Sequence, residues 1–529
     1  MPLKSGRLDV LRFKIFACSC LLAFTSFAAA DLVIRNGLVY DGTGRAPRIL
    51  DVSIDEGMIV SVGPSLPRGK TTLDAAGKAV APGFIDVHTH AENIIHHPKA
   101  ENFLRMGVTT LVLGNCGSSK LNIGDFYRQI GEKGFSPNIA SLIGHGTVRK
   151  QVMGGSFRRP PSTSELAQMQ KHVENAMIDG ALGMSTGLIY LPGTFAKTEE
   201  LIALSQIVSR HGGIYVSHMR SEGTNIFKAV DEVCRIGRQA KLPIHISHLK
   251  LAGRPMWGKH AQLLSQLGKA REEGLLLTHD QYAYTASSTS LRQLLPDEVV
   301  AGGSVAFARR IKDKIEWDKT SNWMKSRLQA RQRKDYSYAV IAYHKKDTRY
   351  NGLNVAEAAR LRYGKDTLDH QISLIFEIEA NGGASAVFHG MNEEDARAFL
   401  KSPHTMFASD SSVRVYGRGI PHPRGYGNAA RFLGHYARDQ KQLRLEEAIR
   451  KLTSLPARTF KLKGRGGIKP GYSADVVVFD PKMIRDNATF KSPHAYSTGF
   501  KYVIVNGKIV VEEDRHNGEG PGRVIRRTQ

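Results

Sequence analysis

Cysteine is scarce in this chain of 529 residues: there are four, and two of them, Cys18 and Cys20, fall within the first thirty positions. A disulfide framework is thereby excluded, and Cys116 and Cys234 could form at most one bond in an oxidising compartment. Low-complexity tracts and repeats of solenoid length are absent, which excludes an array architecture. Acidic residues are outnumbered 49 to 74 by Lys and Arg, giving a formal charge of +25. A nucleic-acid binder would show a recognised motif or basic residues interleaved with aromatics. Neither is present, and the most basic stretch, 309–349, contains acids too and reads as solvated helix faces. The charge balance suits adhesion to anionic surfaces or attraction of acidic substrates.

Long apolar runs are also missing, with one exception. Lys4, Arg7, Arg12 and Lys14 precede an apolar run at 15–27, and Ala28-Ala29-Ala30 follow it. That run is short for a bilayer span, and the flanks match a signal peptide with a small-residue cleavage site. Residues 1–30 therefore predict export to the periplasm or the medium, with no stable membrane insertion after cleavage; an uncleaved anchor is the alternative. Cleavage removes three net positive charges and leaves +22.

Short strands broken by turn pairs fill 31–80, where Asn36-Gly37, Asp41-Gly42 and Glu56-Gly57 punctuate apolar runs. The same texture returns at 474–479 and 502–511, the latter turning at Asn506-Gly507. Strand-rich ends around a long α/β middle predict one small β-sandwich built from 31–82 and 463–529. The middle alternates β-branched runs with helical stretches, as βαβ units do. Its candidate strands end near Asp86, Gly114, Gly144, Ser185, Ser217, Ser247, His279 and Ser409. Eight such strands predict an α/β fold of the (β/α)8 TIM-like barrel type over 83–462, with an insertion near 286–343. The runs 338–343 and 384–389 are strand-like as well and compete for places in that count.

Polar residues of catalytic type stand directly after the apolar runs: His88 and His90, Cys116, His218, His248 and Asp410. In a parallel barrel all strand C-termini open on one face, so residues distant in sequence converge there. His88 and His90, two apart on an extended segment, point the same way. Imidazole and thiolate are the ligands that Zn²⁺ favours. A thiolate held on a metal also accounts for an unpaired Cys116. Asp410 suits a proton carrier beside metal-activated water. A lone His-x-His, a lone cysteine or a strand-terminal Asp means little, the last commonly capping a helix. Five such positions in barrel order mean more. His145 reads as a support behind the ligands and His279 as structural.

The stretch Pro82-Gly83-Phe84-Ile85-Asp86-Val87-His88-Thr89-His90 resembles the amidohydrolase superfamily, as does the return at 466–478. Gly144-His145-Gly146-Thr147-Val148-Arg149, Ser217-His218-Met219-Arg220-Ser221-Glu222 and Ile246-Ser247-His248-Leu249-Lys250 are similar to signatures of the D-aminoacylase (N-acyl-D-amino-acid deacylase) family, with further matches at 183–190, 282–289 and 422–424. The resemblance spans nearly the whole chain after residue 30. It implies zinc-dependent hydrolysis of N-acyl-D-amino acids to a carboxylic acid and a D-amino acid, with a small-molecule N-acyl amino acid as the partner. It implies that Cys116, His218 and His248 hold one tight zinc, and that His88 and His90 share Cys116 at a second, weaker position. Asp410 is then the general base and acid, and Lys250, Tyr282 and Arg424 hold the substrate carboxylate, with Tyr190 and Ser288 nearby. Cys116 stands where many amidohydrolases use a carboxylated lysine, so no modified lysine is expected. Two departures stand out: Ala283 replaces a usual proline, and the segment after Asp410 is longer than the family's. Its Arg414 and Arg418 point to acidic D-residues. The alternatives are an amidohydrolase of cyclic amides or dipeptides and a non-catalytic homologue of the same barrel.

Overall fold

The computed structural model describes residues 1–2 and 29–527, so the signal-peptide reading falls almost wholly outside the described residues. Among the described residues no helix is long and apolar enough to cross a membrane.

The middle of the chain is built on short strands that pair in parallel. Phe84–Asp86, Val108–Leu113 and Asn138–Ser141 form one arc of three. Ile143–Gly144, Gly183–Gly187, Ile214–His218, Ile244–Ile246, Leu277–Gln281 and Thr405–Phe407 form a second arc of six. Nearly every residue in these strands is buried, as parallel strands covered on both faces require. Their side chains alternate between two cores. Ile85, Val112, Ala140, Leu182, Ile214, Val216 and Met406 meet in one cluster drawn from both arcs. Phe84, Leu111, Leu113, Met184, Tyr215, Ile244 and Ile246 face the other way, into the cluster shared with the helices. Helices follow the strands, among them Thr163–Ile178, Thr198–Arg210 and Ile226–Ala240. The first of these starts in a capping box, with the Ser162 hydroxyl accepting from the Glu165 N–H and the Glu165 carboxylate accepting from the Ser162 N–H.

The arcs meet at both ends. Leu142 N donates to Leu113 O and Leu182 N to Ser141 O, both at 2.9 Å. At the other junction Asp410 N donates to His88 O at 2.9 Å and His90 N to Ser411 O at 2.7 Å. Asp86 strengthens that seam, both its oxygens accepting from Ser409 N at 3.1 Å.

Both chain ends feed one nine-stranded sheet, in which Val476–Phe479 pairs antiparallel with Ala79–Pro82 and so joins the late strands to the early ones. One face carries its own core of Ile34, Val52, Ile54, Val80, Val476, Val478 and Ile504. The other face, through Val477, Phe479, Phe500 and Val503, packs on the parallel strands' outer core. The turn pairs divide. Glu56-Gly57 and Asn506-Gly507 have positive φ at both residues and link adjacent antiparallel strands, as hairpin turns do. Asn36-Gly37 instead lies inside the strand Leu32–Val39 as a bulge, where a side chain on Gly37 would strike Val80.

Ser287–Ser290, Ser385–Phe388 and Ala339–Tyr343 make a separate antiparallel sheet, with Ser385–Phe388 in the middle. The strand-like runs at 338–343 and 384–389 thus pair with each other and not with the parallel strands. The excursion from those strands reaches past residue 343, because its central strand comes from 385–388. Its helices, including Lys314–Ala330 and Leu368–Ala380, enclose a core of Phe307, Met324, Leu328, Ile372, Ile375 and Phe376.

Candidate metal centre

The residues that follow the parallel strands converge. Cys116 stands after Val108–Leu113, His218 ends Ile214–His218, His248 follows Ile244–Ile246 and Asp410 follows Thr405–Phe407. Three of these four sit in the left-handed region, with φ of 51° at Cys116, 34° at His248 and 49° at Asp410. Such backbone is costly outside glycine and clusters where side chains must be aimed at a functional site. The neighbouring backbone is crowded: a side chain on Gly187 would lie 2.2 Å from Cys116 O. The Gly187 backbone therefore lies directly against that of Cys116.

Around the Cys116 sulfur lie His88 Nε2 at 3.3 Å, His218 Nδ1 at 3.6 Å and His248 Nε2 at 3.9 Å. Cys116 with His218 and His248, His88 and His90 with Cys116, and His88 and His248 with Asp410 each form a group whose ligand atoms lie within 4.8 Å of one another. A tetrahedral zinc with bonds of about 2.3 Å to sulfur and about 2.0–2.1 Å to nitrogen places those atoms about 3.6 Å apart. The donor set and its spacing fit that ion. Cys116 and Cys234 are both free thiols, so no disulfide competes.

The electrostatics of the cluster are those of a thiolate among imidazoles. Burial opposes the thiolate, yet the charge of His88 and contacts from His218 and His248 hold the Cys116 thiol well below its usual range. Burial likewise opposes charge on His88, which Cys116, Asp280 and Asp410 nonetheless hold well above the usual imidazole value. His90, held 3.1 Å from Asp410 Oδ1, rises against burial to about 10.

Two carboxylates that the sequence reading did not single out orient these rings. Asp280 Oδ2 lies 3.3 Å from His88 Nδ1 and 2.8 Å from His245 Nε2, and Oδ1 accepts from His248 N at 2.8 Å. Glu222 Oε1 lies 2.9 Å from His248 Nδ1 and 2.5 Å from Lys250 Nζ. Each carboxylate takes the far nitrogen of a ring and leaves the near one facing Cys116, the arrangement that makes imidazole a good ligand. The sequence held a signal for both: Asp280 is in a strand-end segment and Glu222 closes the Ser217–Glu222 motif.

Asp410, Arg424, Ser288 and Tyr190 line a cavity of about 1230 Å³ that opens over Cys116 and His90. Arg424 Nη1 lies 2.9 Å from Asp410 Oδ2 and Nη2 donates to Ser288 O at 3.3 Å, while the buried Nε has no partner. The Tyr190 hydroxyl accepts from Thr289 Oγ1 at 3.1 Å, and its ring meets His218 edge-on. Lys250 and Tyr282 are buried behind this layer and are not cavity walls. The Tyr282 ring supports Arg424, whose Cζ lies 4.6 Å from the ring centre, and Lys250 Nζ approaches the same ring at 5.7 Å. His145 Nε2 lies 2.7 Å from Glu200 and His279 contacts Thr405 and Ser402; neither hydrogen-bonds to a candidate ligand.

Residues 71–511 match the model of the amidohydrolase family. A D-aminoacylase of Alcaligenes xylosoxydans xylosoxydans is 34% identical over 94% of this chain and 98% of its own. A solved D-aminoacylase, studied for the role of its binuclear metal centre, is 32% identical, with a TM-score of 0.80 over 94% of this chain and all of that one. The N-acyl-D-glutamate deacylase of Bordetella bronchiseptica, solved with zinc and a phosphonate mimic of its tetrahedral intermediate, is 29% identical with a TM-score of 0.81 over the same shares. With a cysteine–histidine cluster and a carboxylate set at the ends of parallel strands, and a guanidinium paired to that carboxylate, this chain belongs to the amidohydrolase family and, within it, to the D-aminoacylases.

Proposed function

We propose that this protein hydrolyses the amide bond of N-acyl-D-amino acids, using zinc at the Cys116 cluster. The single observation that carries the proposal is the Asp410–Arg424 pair at 2.9 Å, set beside a buried sulfur ringed by imidazoles. The solved relatives, one with a binuclear metal centre and one with zinc, support a divalent cation here. Cys116, His218 and His248 would hold the tight ion; His88 and His90, sharing the sulfur, would hold a second, weaker one. A cation so placed supplies polarisation of the amide carbonyl and a more acidic water.

The chain's own residues do the rest. Asp410, kept ionised and fixed by His90 and Arg424, takes a proton from water on one oxygen and returns it to the leaving amine. Arg424, a wall of the cavity, offers its guanidinium to the substrate α-carboxylate, which would share it with Asp410. Tyr282 stiffens Arg424 from behind, Lys250, paired with Glu222, lies against the same ring, and Tyr190 and Ser288 shape the wall. The D preference rests on the relatives.

The same reading extends to the architecture. The inner core shared by both arcs and the backbone bonds at both seams support one closed eight-stranded barrel, with 138–144 as a single interrupted strand. A nine-stranded sheet drawn from both chain ends, with a core of its own on one face, supports a sandwich of 31–82 with 463–529 beside a barrel of 83–462. Export rests on residues 1–30 alone. A panel of N-acetyl-D- and L-amino acids, assayed with and without chelator, tests the function. Chelator-sensitive turnover of the D-series is expected. Turnover of cyclic imides or dipeptides alone would overturn it.

A further inference from the structure

We infer that the cavity holds a second anion subsite, centred on Arg414, and that the preferred substrate carries a second carboxylate in addition to the one met by Arg424. This inference rests on the reading of the site as an N-acyl-D-amino acid hydrolase and names the class within it.

Arg414 lies on the long segment after Asp410 and lines the same cavity as Arg424. The segment is anchored from below. Asn102, 1% exposed, accepts from Arg414 N at 3.1 Å and donates to Gly425 O at 2.9 Å and to Ser412 O at 3.3 Å. One buried amide thus ties the Arg414 loop to the residue after Arg424. The side chain is aimed as well: Nε donates to Ser411 Oγ at 3.1 Å, and the stem runs over Gly425, where an added Cβ would come 3.0 Å from Nε. Glycine at 425 is what lets a second guanidinium lie beside the first.

What that guanidinium lacks is a counterion. Among the described residues no carboxylate pairs with Arg414, and its terminal amino groups make no hydrogen bond to protein. Arg418 and Lys150 line the same cavity, again with no carboxylate paired to either; the cavity's one acid is Asp410, already engaged by Arg424 and His90. Burial and the neighbouring Arg424 depress the Arg414 guanidinium to about 10, which records an unpaired cation held against another. A planar fork with free N–H groups is suited to a carboxylate.

That carboxylate can be on the D-amino acid side chain or on the acyl group. The test measures kcat/KM for N-acetyl-D-glutamate against N-acetyl-D-glutamine, and for N-succinyl-D-methionine against its N-succinamoyl counterpart, with the zinc-loaded full chain. The acid is expected to win in one pair, which identifies the source, and Arg414→Gln should lower that acid-to-amide ratio by about 10- to 100-fold, the worth of a charged hydrogen bond. Arg414→Lys keeps charge without the fork and should fall between. Thermal melting and zinc content of each variant establish that it is folded. Acid-to-amide ratios near one in both pairs, or a ratio unmoved in a folded Arg414→Gln variant, overturn the inference while neutral D-substrates are still turned over. Loss of all D-substrate turnover in the parent would overturn the underlying function instead, and the subsite with it.

Discussion

Asp410 Oδ2 lies 2.9 Å from Arg424 Nη1, and its other oxygen lies 3.1 Å from His90 Nε2. Burial works against charge on this carboxyl, yet Arg424 first, then His88 and His90, hold it well below the usual carboxylate range. On the proposed function, the cation that keeps the base ionised is also the cation offered to the substrate. An incoming carboxylate shares Arg424 with Asp410 and should make Asp410 a stronger base only when substrate is in place.

Asp410→Asn keeps the shape and removes the proton acceptor. Turnover should fall by about 10²- to 10⁴-fold, the usual contribution of a positioned acid–base group. Metal content should stay that of the parent, because the Cys116, His218 and His248 donors are untouched. Parent-like turnover in a metal-replete variant would remove Asp410 from the mechanism.

Arg424→Gln should act on the pH profile as well as on affinity. With the guanidinium gone, the Asp410 pKa rises toward its ordinary value. Activity that needs the ionised carboxylate is then lost at a higher pH on acidification, so the acidic limb of kcat/KM moves upward. KM for the D-substrate should rise too, and Arg424→Lys should restore part of both effects. An unmoved acidic limb would separate Arg424 from Asp410.

The convergence of Cys116, His218, His248 and Asp410 was legible because parallel strands put whatever follows an apolar run onto one face. The positions of Glu222 and Asp280 were legible too, but their tasks were not. They act through other residues, and nothing local says that Asp280 will reach His88, 192 positions away. The same limit explains the turns. Asn36-Gly37 and Asn506-Gly507 are identical dipeptides, yet one is a bulge and the other a hairpin, because the strand alongside decides. The run at 384–389 read like a barrel strand; its antiparallel partners at 287–290 and 339–343, unknown to local sequence, place it elsewhere.

Asp280→Asn tests that indirect support. The carboxylate holds His88 and His245 by their ring nitrogens and His248 by its backbone. Loss of such outer support typically weakens a metal site by about 10- to 100-fold. Competition with a chromophoric chelator should show that loss, and Cys116→Ser should show a larger one. If zinc affinity in Asp280→Asn equals that of the parent, the hub is structural only.

Lys451 bears on stability rather than catalysis. It is 1% exposed, and Nζ donates to Leu400 O at 2.6 Å and Ser402 O at 2.5 Å. Burial pushes its amine down to about 7 from 10.5. Between those values the unfolded chain carries a proton that the folded chain does not, so stability rises with pH across that window and loses this contribution as pH falls toward 7. One such group supplies a slope of up to about 1.4 kcal/mol per pH unit. Lys451→Met should lower stability overall by about 1–3 kcal/mol, since two buried carbonyls lose their donor. It should also remove the Lys451 share of the pH dependence of melting temperature between roughly pH 7 and 10. A variant with the parent's slope would show that the Lys451 ammonium stays charged in the fold, stabilised by the two carbonyls it caps.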